Sequence, residues 1–252
     1  MQHTGSFERC GLPVCGLTDE YPAGFVDPVH AHDRIQVLYA CSGVMSVVTP
    51  ATSFVVPPQR AVWLPAGMPH EVSCRGAVSL RTLYVDPARY VQAPECRVIE
   101  VSDFLRALIL KVVSFGHDYD VDGQPGRIVE VLLNEIATMP IAPYGASMPA
   151  DPRLLRVCKE ILADPADNRD VDQLARIAGM ARRTFTRAFK RETGMGLAAW
   201  RQQVRLMEAL SLMATGRPVT TIAFDVGYDS PSAFTAMFRR AYGVPPSMYA
   251  LP

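Results

Sequence analysis

Five histidines occur in the 252-residue chain, at positions 3, 30, 32, 70 and 117. Two of them open the pattern His30-x-His32-x3-Gln36-x6-Gly43, and a third closes Pro65-x-Gly67-x2-His70. Neutral imidazole is a good ligand for zinc, nickel, manganese or iron, while an amide oxygen is a neutral and weaker one. Side chains two apart on a strand share a face, so His30, His32 and Gln36 point the same way if no bulge intervenes. A histidine returning on a second strand then completes the cluster. The expectation is one divalent transition metal on His30, His32 and His70, with Gln36 as fourth ligand. The competing expectation is a metal-free pocket that the imidazoles line, with Leu38, Tyr39, Met45, Trp63 and Tyr84 as candidate walls.

A second chemistry is written in the arginines. The formal net charge is zero, yet residues 1–150 hold 10 Lys+Arg against 15 Asp+Glu, and residues 151–252 hold 15 against 10. A positive half joined to a negative one points to a polyanionic partner. The positive half also repeats itself. Ala175 and Gly179 recur 48 residues later as Ala223 and Gly227, and Phe185, Thr186, Phe189 and Gly194 recur 49 residues later as Phe234, Thr235, Phe238 and Gly243. Each copy reads as a short apolar helix, a glycine turn and a second helix, the helix-turn-helix layout. In the first copy Phe185 and Phe189 face inward, one helical turn apart. Arg183, Thr186, Arg187 and Lys190 then face outward, with Arg182 and Arg191 at the flanks. Such cations neutralise phosphates, and an arginine in the major groove makes two bonds to guanine. In the second copy Ser232, Thr235, Ala236 and Arg239 face outward. Leu197 to Thr215 reads as one long helix; about 19 residues span roughly 28 Å, near the ~34 Å between successive major-groove faces. Double-stranded promoter DNA is the expected partner.

The elements that must position these groups differ between the halves. From residue 20 to 95, short runs rich in branched and aromatic residues alternate with Gly, Pro, Ser and Asp, which suggests a sandwich or barrel. Ser102 is the expected N-cap of a helix over 103–114 whose stripe is Phe104, Leu105, Leu108, Ile109 and Val112. That stripe must be buried against the barrel or against a second copy, giving a homodimer through helix 103–114. A second helix is expected over 127–139, and Pro140, Pro143, Pro149 and Pro152 then read as a linker. With 49% hydrophobic and 20% charged residues the chain is not a disordered one. No apolar run approaches the roughly 20 residues of a membrane span, and no secretory signal is read at the N-terminus. The six cysteines are therefore expected to be reduced thiols of a cytoplasmic protein.

The residues Leu174-Ala175, Gly179-Met180, Arg187 to Gly194, Trp200-Arg201, Arg205-Leu206, Ile222 to Tyr228, Ser230 to Phe234, Phe238-Arg239-Arg240 and Gly243-Val244-Pro245-Pro246 carry a resemblance. Over about its last 80 residues the chain resembles the DNA-binding domain of the AraC/XylS family of transcription regulators. The resemblance implies base reading by Arg183 and Arg187 in the first copy and by Ser232 and Ala236 in the second. Ala236 stands where members often carry a long polar or cationic side chain, and it cannot bond a base edge. The histidine spacing resembles the two metal motifs of cupins, which usually have Glu where this chain has Gln36. The segment from Val56 to Val72 resembles the sensor domain of a subgroup of these regulators.

The resulting expectation is an α+β chain. A cupin-like sensor barrel occupies 1–98, a helical segment with a Pro-rich linker 99–150, and an all-α double helix-turn-helix domain 151–252. The expected function is transcription regulation in response to a small molecule or metal bound in the barrel, without catalysis. The alternative is a metal-dependent cupin enzyme, of dioxygenase or isomerase type, with a DNA-binding tail.

Overall fold

The computed structural model describes residues 11–74, 76–90, 95–116, 118–142, 145–213 and 215–249. His3, Cys10, His117 and Pro143 lie outside the described residues. The architecture is α+β, a β-rich N-terminal domain of two sheets followed by a helical C-terminal domain. Two compact units divide the chain, one comprising residues up to Thr49 with Val56–Pro143, the other Pro50–Val55 with Tyr144–Leu251.

The first unit is built on an antiparallel six-stranded sheet. Its strands are β1 (Val14–Tyr21), β3 (Ile35–Ser42), β6 (Arg60–Leu64), β8 (Val78–Val85), β9 (Arg97–Glu100) and β10 (Ile141–Ala142). They lie in the order β1-β8-β3-β6-β9-β10. A second sheet contributes β2 (Val26–His30), β4 (Met45–Val48) and β7 (His70–Cys74), with β7 in the middle. Strands β1 and β9 were not anticipated: Gly16, Asp19 and Glu20 are strand-poor residues within the first, and the second has only four residues.

Strand β3 is buried on both faces. Ile35, Val37 and Tyr39 join a cluster with Trp63 and Leu83 beneath two helices, α1 (Asp103–Val113) and α2 (Gln124–Thr138). Gln36 and Leu38 turn to the opposite face. Ser102 caps α1 as expected, its side chain accepting a hydrogen bond from the Leu105 amide at 3.0 Å. Leu105, Leu108, Ile109 and Val112 are buried, against the sheet and against Val129, Leu132, Leu133 and Ile136 of α2. Only Phe104 of the expected stripe is exposed. This corrects the expectation of a homodimer through helix 103–114: one chain already covers the stripe from which that dimer was drawn. Tyr39 and Trp63 are likewise core residues under the helices rather than pocket walls.

The second unit holds a short pair of strands, β5 (Thr52–Val56) and β11 (Gly145–Ser147), so part of the Pro-rich stretch is sheet. Six helices follow: α3 (Pro152–Ala163), α4 (Val171–Ile177), α5 (Arg182–Thr193), α6 (Leu197–Met213), α7 (Val219–Asp225) and α8 (Pro231–Tyr242). The repeat is reproduced atom for atom at its turns. The Gly179 and Gly227 amides bond to Arg176 and Phe224 carbonyls, both at 2.9 Å, and the Met180 and Tyr228 amides bond to Ala175 and Ala223 carbonyls, again at 2.9 Å. Both glycines adopt left-handed backbone, with φ of 63° and 79°. Their surroundings differ. A Cβ at Gly179 meets nothing within 4 Å, whereas one at Gly227 would sit 2.9 Å from Ala166 backbone.

The cysteines depart from expectation at one place. Cys41, Cys74, Cys96 and Cys158 are free, but Cys15 is disulfide-bonded. No helix among the described residues is long and apolar enough to cross a membrane.

Leu105→Ala removes a side chain with 0% exposure. It should lower the unfolding free energy of the N-terminal domain by about 2–5 kcal/mol, read from urea denaturation. Gly179→Ala should cost about 1 kcal/mol of backbone strain. Gly227→Ala should cost clearly more, since its Cβ also collides with backbone. Equal melting temperatures for the two variants would contradict this.

Candidate functional site: a histidine cavity and a pair of exposed helices

The histidines converge, though not by the expected route. Strand β2 ends at His30, and the register shifts between Asp27 and His30. His32 lies in the connection before β3, and Gln36 reaches in from β3 in the other sheet. The period-two argument therefore fails at His32; the turn, not the pleat, aims it. A hydrogen bond from the Gly67 amide to the His32 carbonyl, 2.7 Å, holds that turn against the Pro65–Met68 turn. His70 opens β7 directly opposite His30 in the antiparallel ladder. The Pro-x-Gly-x2-His spacing thus supplies both the clamp on His32 and the third imidazole.

One ligand atom from each of His30, His32 and His70 lies within 4.8 Å of the others. Ring centroids are 4.4 Å apart for His30 and His70, 4.8 Å for His30 and His32, and 5.6 Å for His32 and His70. His30 Nδ1 donates to the Pro28 carbonyl at 2.7 Å, and His70 Nδ1 to the Met68 carbonyl at 2.9 Å. A carbonyl only accepts, so Nδ1 carries the proton in each neutral ring and Nε2 keeps its lone pair. His70 Nε2 is buried without a hydrogen-bond partner, and so is Gln36 Oε1. Gln36 Nε2, by contrast, donates to the Tyr84 hydroxyl at 3.4 Å. Burial pushes the His70 imidazole down to about 4, the Met68 carbonyl opposing and His30 and His32 adding to the shift. It is therefore neutral at pH 7.

Beside the histidines lies a cavity of about 650 Å³ between the two sheets. Leu38 and Tyr84 line it as expected; Met45 and Trp63 do not. Unexpected wall residues come from β1, the turn after it and β2: Leu17, Asp19, Tyr21, Phe25 and Asp27. The signal was present in the alternation of Leu17, Asp19 and Tyr21 along one strand face.

In the C-terminal domain Phe185, Ala188 and Phe189 are buried and Arg182, Arg183, Thr186, Arg187 and Lys190 are exposed on α5. Arg182 is ion-paired with Asp172 of α4 at 2.8 Å, and the Thr186 hydroxyl donates back into its own helix at 3.1 Å. Among the described residues nothing bonds the side chains of Arg183, Arg187 and Lys190. On α8 Phe234, Met237 and Phe238 are buried, Thr235 is half-buried, and Ser232, Ala236, Arg239 and Arg240 are exposed.

Helix α6 holds both copies. Trp200 packs edge-on against Phe189 at 5.8 Å. Arg201 donates to the carbonyls of Arg169 (2.7 Å) and Asp167. Arg205 donates to the Pro165 carbonyl (3.1 Å) and Asn168 Oδ1 (2.7 Å), and its guanidinium lies over Tyr228 at 5.4 Å. These two arginines are thus joints of the domain. Their positive charge alone did not reveal that.

Comparison with known proteins agrees with this division. A model for a helix-turn-helix domain matches residues 174–251, and one for an AraC-like ligand binding domain matches residues 11–134. The chain is 28% identical over 232 residues to the HTH-type transcriptional regulator NimR of Escherichia coli (strain K12), covering 92% of this chain and 84% of that protein. It is 28% identical over 103 residues to the arabinose operon regulatory protein of the same organism, covering 40% of this chain and 35% of that one. Among solved structures, the DNA-binding domain of AdpA in complex with a target DNA matches at 35% identity. That match covers 37% of this chain and 86% of that chain, with a TM-score of 0.36.

Proposed function

The chain belongs to the AraC family of helix-turn-helix transcription regulators, and we propose that its N-terminal cavity is a metal-assisted effector site of cupin type. The observation that carries this is the pair of buried, unpartnered acceptors, His70 Nε2 and Gln36 Oε1, at a convergence of three imidazoles. Leaving such groups unsatisfied is costly, and a divalent ion satisfies them. Residues His30, His32 and His70 would hold the ion, with Gln36 Oε1 as a fourth donor. Zinc, nickel, manganese and iron all suit that donor set. When bound, the ion supplies a Lewis-acidic point in the cavity wall. The cavity is far larger than an ion, which favours an organic effector beside a fixed metal over the metal as sole signal.

On the DNA side we assign base reading to Arg183 and Arg187, the open cations at the start and centre of α5, and phosphate contact to Lys190 and Arg182. Thr186 completes that face. On α8 the assignment falls on Ser232, Thr235 and Arg239, while Ala236 offers a methyl group to thymine at most. A DNA-binding regulator of this kind works in the cytoplasm. The enzyme reading uses the same imidazoles; the regulator reading is favoured because the related proteins are transcriptional regulators.

Arg183→Ala and Arg187→Ala should each cost about 1–3 kcal/mol at the cognate site. Lys190→Ala should weaken binding to all sequences and flatten the salt dependence. Mobility shifts at several salt concentrations measure both, and unchanged cognate binding in the two arginine variants would refute the assignment.

Zinc or nickel should raise the melting temperature of the metal-stripped protein, by about 2.7 kcal/mol of stability at a hundredfold excess over Kd. His70→Ala should abolish that rise. If none of zinc, nickel, manganese or iron shifts melting, the site is metal-free and the imidazoles serve an organic ligand directly.

A further inference from the structure

The two helix-turn-helix units meet at a second place besides α6. The loop between α3 and α4, residues 164–170, opens the first copy. Asp170 caps α4 with a full capping box: its carboxylate accepts from the Gln173 amide at 2.8 Å, and the Gln173 side chain accepts from the Asp170 amide at 2.8 Å. The same loop lies against the turn of the second copy. A Cβ on Gly227 would stand 2.9 Å from both the Cα and the carbonyl oxygen of Ala166, whereas the equivalent Gly179 faces open space. Arg205 of α6 stands at that contact. Its guanidinium bonds the Pro165 carbonyl and Asn168 Oδ1 on one side, at 3.1 and 2.7 Å, and lies over the Tyr228 ring on the other. Tyr228 in turn packs edge-on against Phe234 of α8, with centroids 5.7 Å apart. The loop is itself braced. Asp167, 9% exposed, pairs with Arg169 at 2.6 Å and Arg201 at 3.6 Å, and Arg169 reaches back to Glu160 of α3 at 2.9 Å. A continuous set of contacts therefore runs from the start of the first copy through Arg205 to α8. By contrast, the covalent connection from α6 to α7 passes through Gly216, at φ of 75° with open space about it, and glycine backbone resists reorientation least.

We propose that Arg205, with the loop 165–168, is a positioning residue for DNA recognition: it sets the angle between α5 and α8, and so fixes the separation of the two DNA segments that the protein accepts. The inference rests on reading α5 and α8 as the helices that enter the groove. Two linked modules bind one duplex tightly only where their separation matches that of their targets. A rigid link concentrates the second module at one place, and a loose one spreads it over many. DNA makes the match strict, because each added base pair shifts the second segment by about 3.4 Å and turns it by about 34°. Lysine at position 205 keeps a positive charge near Tyr228 but loses the fork that takes two acceptors at once.

The test uses the full-length protein and a two-segment duplex that the wild type selects from a random pool. Mobility shifts compare that duplex with versions carrying one or two inserted base pairs between the segments, and with two duplexes in which one or the other segment is scrambled. The wild type should lose about tenfold or more on insertion. Arg205→Lys should weaken binding at the selected spacing about tenfold, and Asn168→Ala about threefold. Both should flatten the penalty for insertion and leave affinity for the single-segment duplexes unchanged. Circular dichroism and thermal melting verify folding, and Asn168→Ala, at an exposed loop position, carries the test where the arginine variant unfolds. A wild type indifferent to insertion, a spacing profile unchanged in the variants, or an equal loss on every duplex would each overturn the proposal, the last by reducing Arg205 to a general stabiliser. Arg183→Ala on the single-segment duplexes reads the base-contact assignment separately. Unchanged affinity there removes that assignment, while a spacing penalty relieved by Arg205→Lys and Asn168→Ala still upholds the joint.

Discussion

The N-terminal domain turns on a strand that has no solvent face. Strand β3 must satisfy two environments at once, helices over Ile35, Val37 and Tyr39, and a cavity over Gln36 and Leu38. Because side chains alternate strictly, a slip of one residue would put Gln36 under the helices and Val37 into the cavity. The register that buries the apolar core is therefore the one that delivers the amide to the histidines. Core stability and site geometry are a single constraint in this domain.

The same economy governs the histidines. Two of the three rings spend Nδ1 on a backbone carbonyl two residues earlier, Pro28 and Met68. That fixes the tautomer and the ring plane, so Nε2 is aimed before any ligand arrives. The cost is two buried acceptors, His70 Nε2 and Gln36 Oε1, without a hydrogen-bond partner among the described residues. Such a cluster is hard to maintain as mere packing, and it lies within reach of a cavity whose other walls are aromatic, aliphatic and acidic.

In the DNA-binding domain the equivalent constraint is helix α6. Its 17 residues span about 25 Å. Trp200 secures helix α5 through Phe189, and Arg205 secures the turn of the second copy through Tyr228. Arg201 and Arg205 reach carbonyl oxygens of the loop before α4, where guanidinium donors match several acceptors at once. Charge in this domain thus divides into arginines that build it, at 201 and 205, and cations left open on α5 and α8. Helix α8 is the poorer in polar reach, because Ala236 occupies the centre of its exposed face.

Composition and periodicity determined much of this. The 48- and 49-residue repeat named both helix-turn-helix units, since each needs a left-handed glycine and two inward aromatic residues at fixed offsets. The stripe on α1 and its Ser102 cap were legible for the same reason: local spacing on one helix is a local property. The three histidines were legible as types, because few residues ligate metal. Their route together was not, since His32 is aimed by a turn held from Gly67, a contact between residues distant in sequence. Nor could the stripe on α1 say whether its cover was a sheet or a second copy, as burial energy does not name its partner. The acidic wall of the cavity was decided only by tertiary structure: Asp19 and Asp27 line one cavity because two strands of different sheets bring them there.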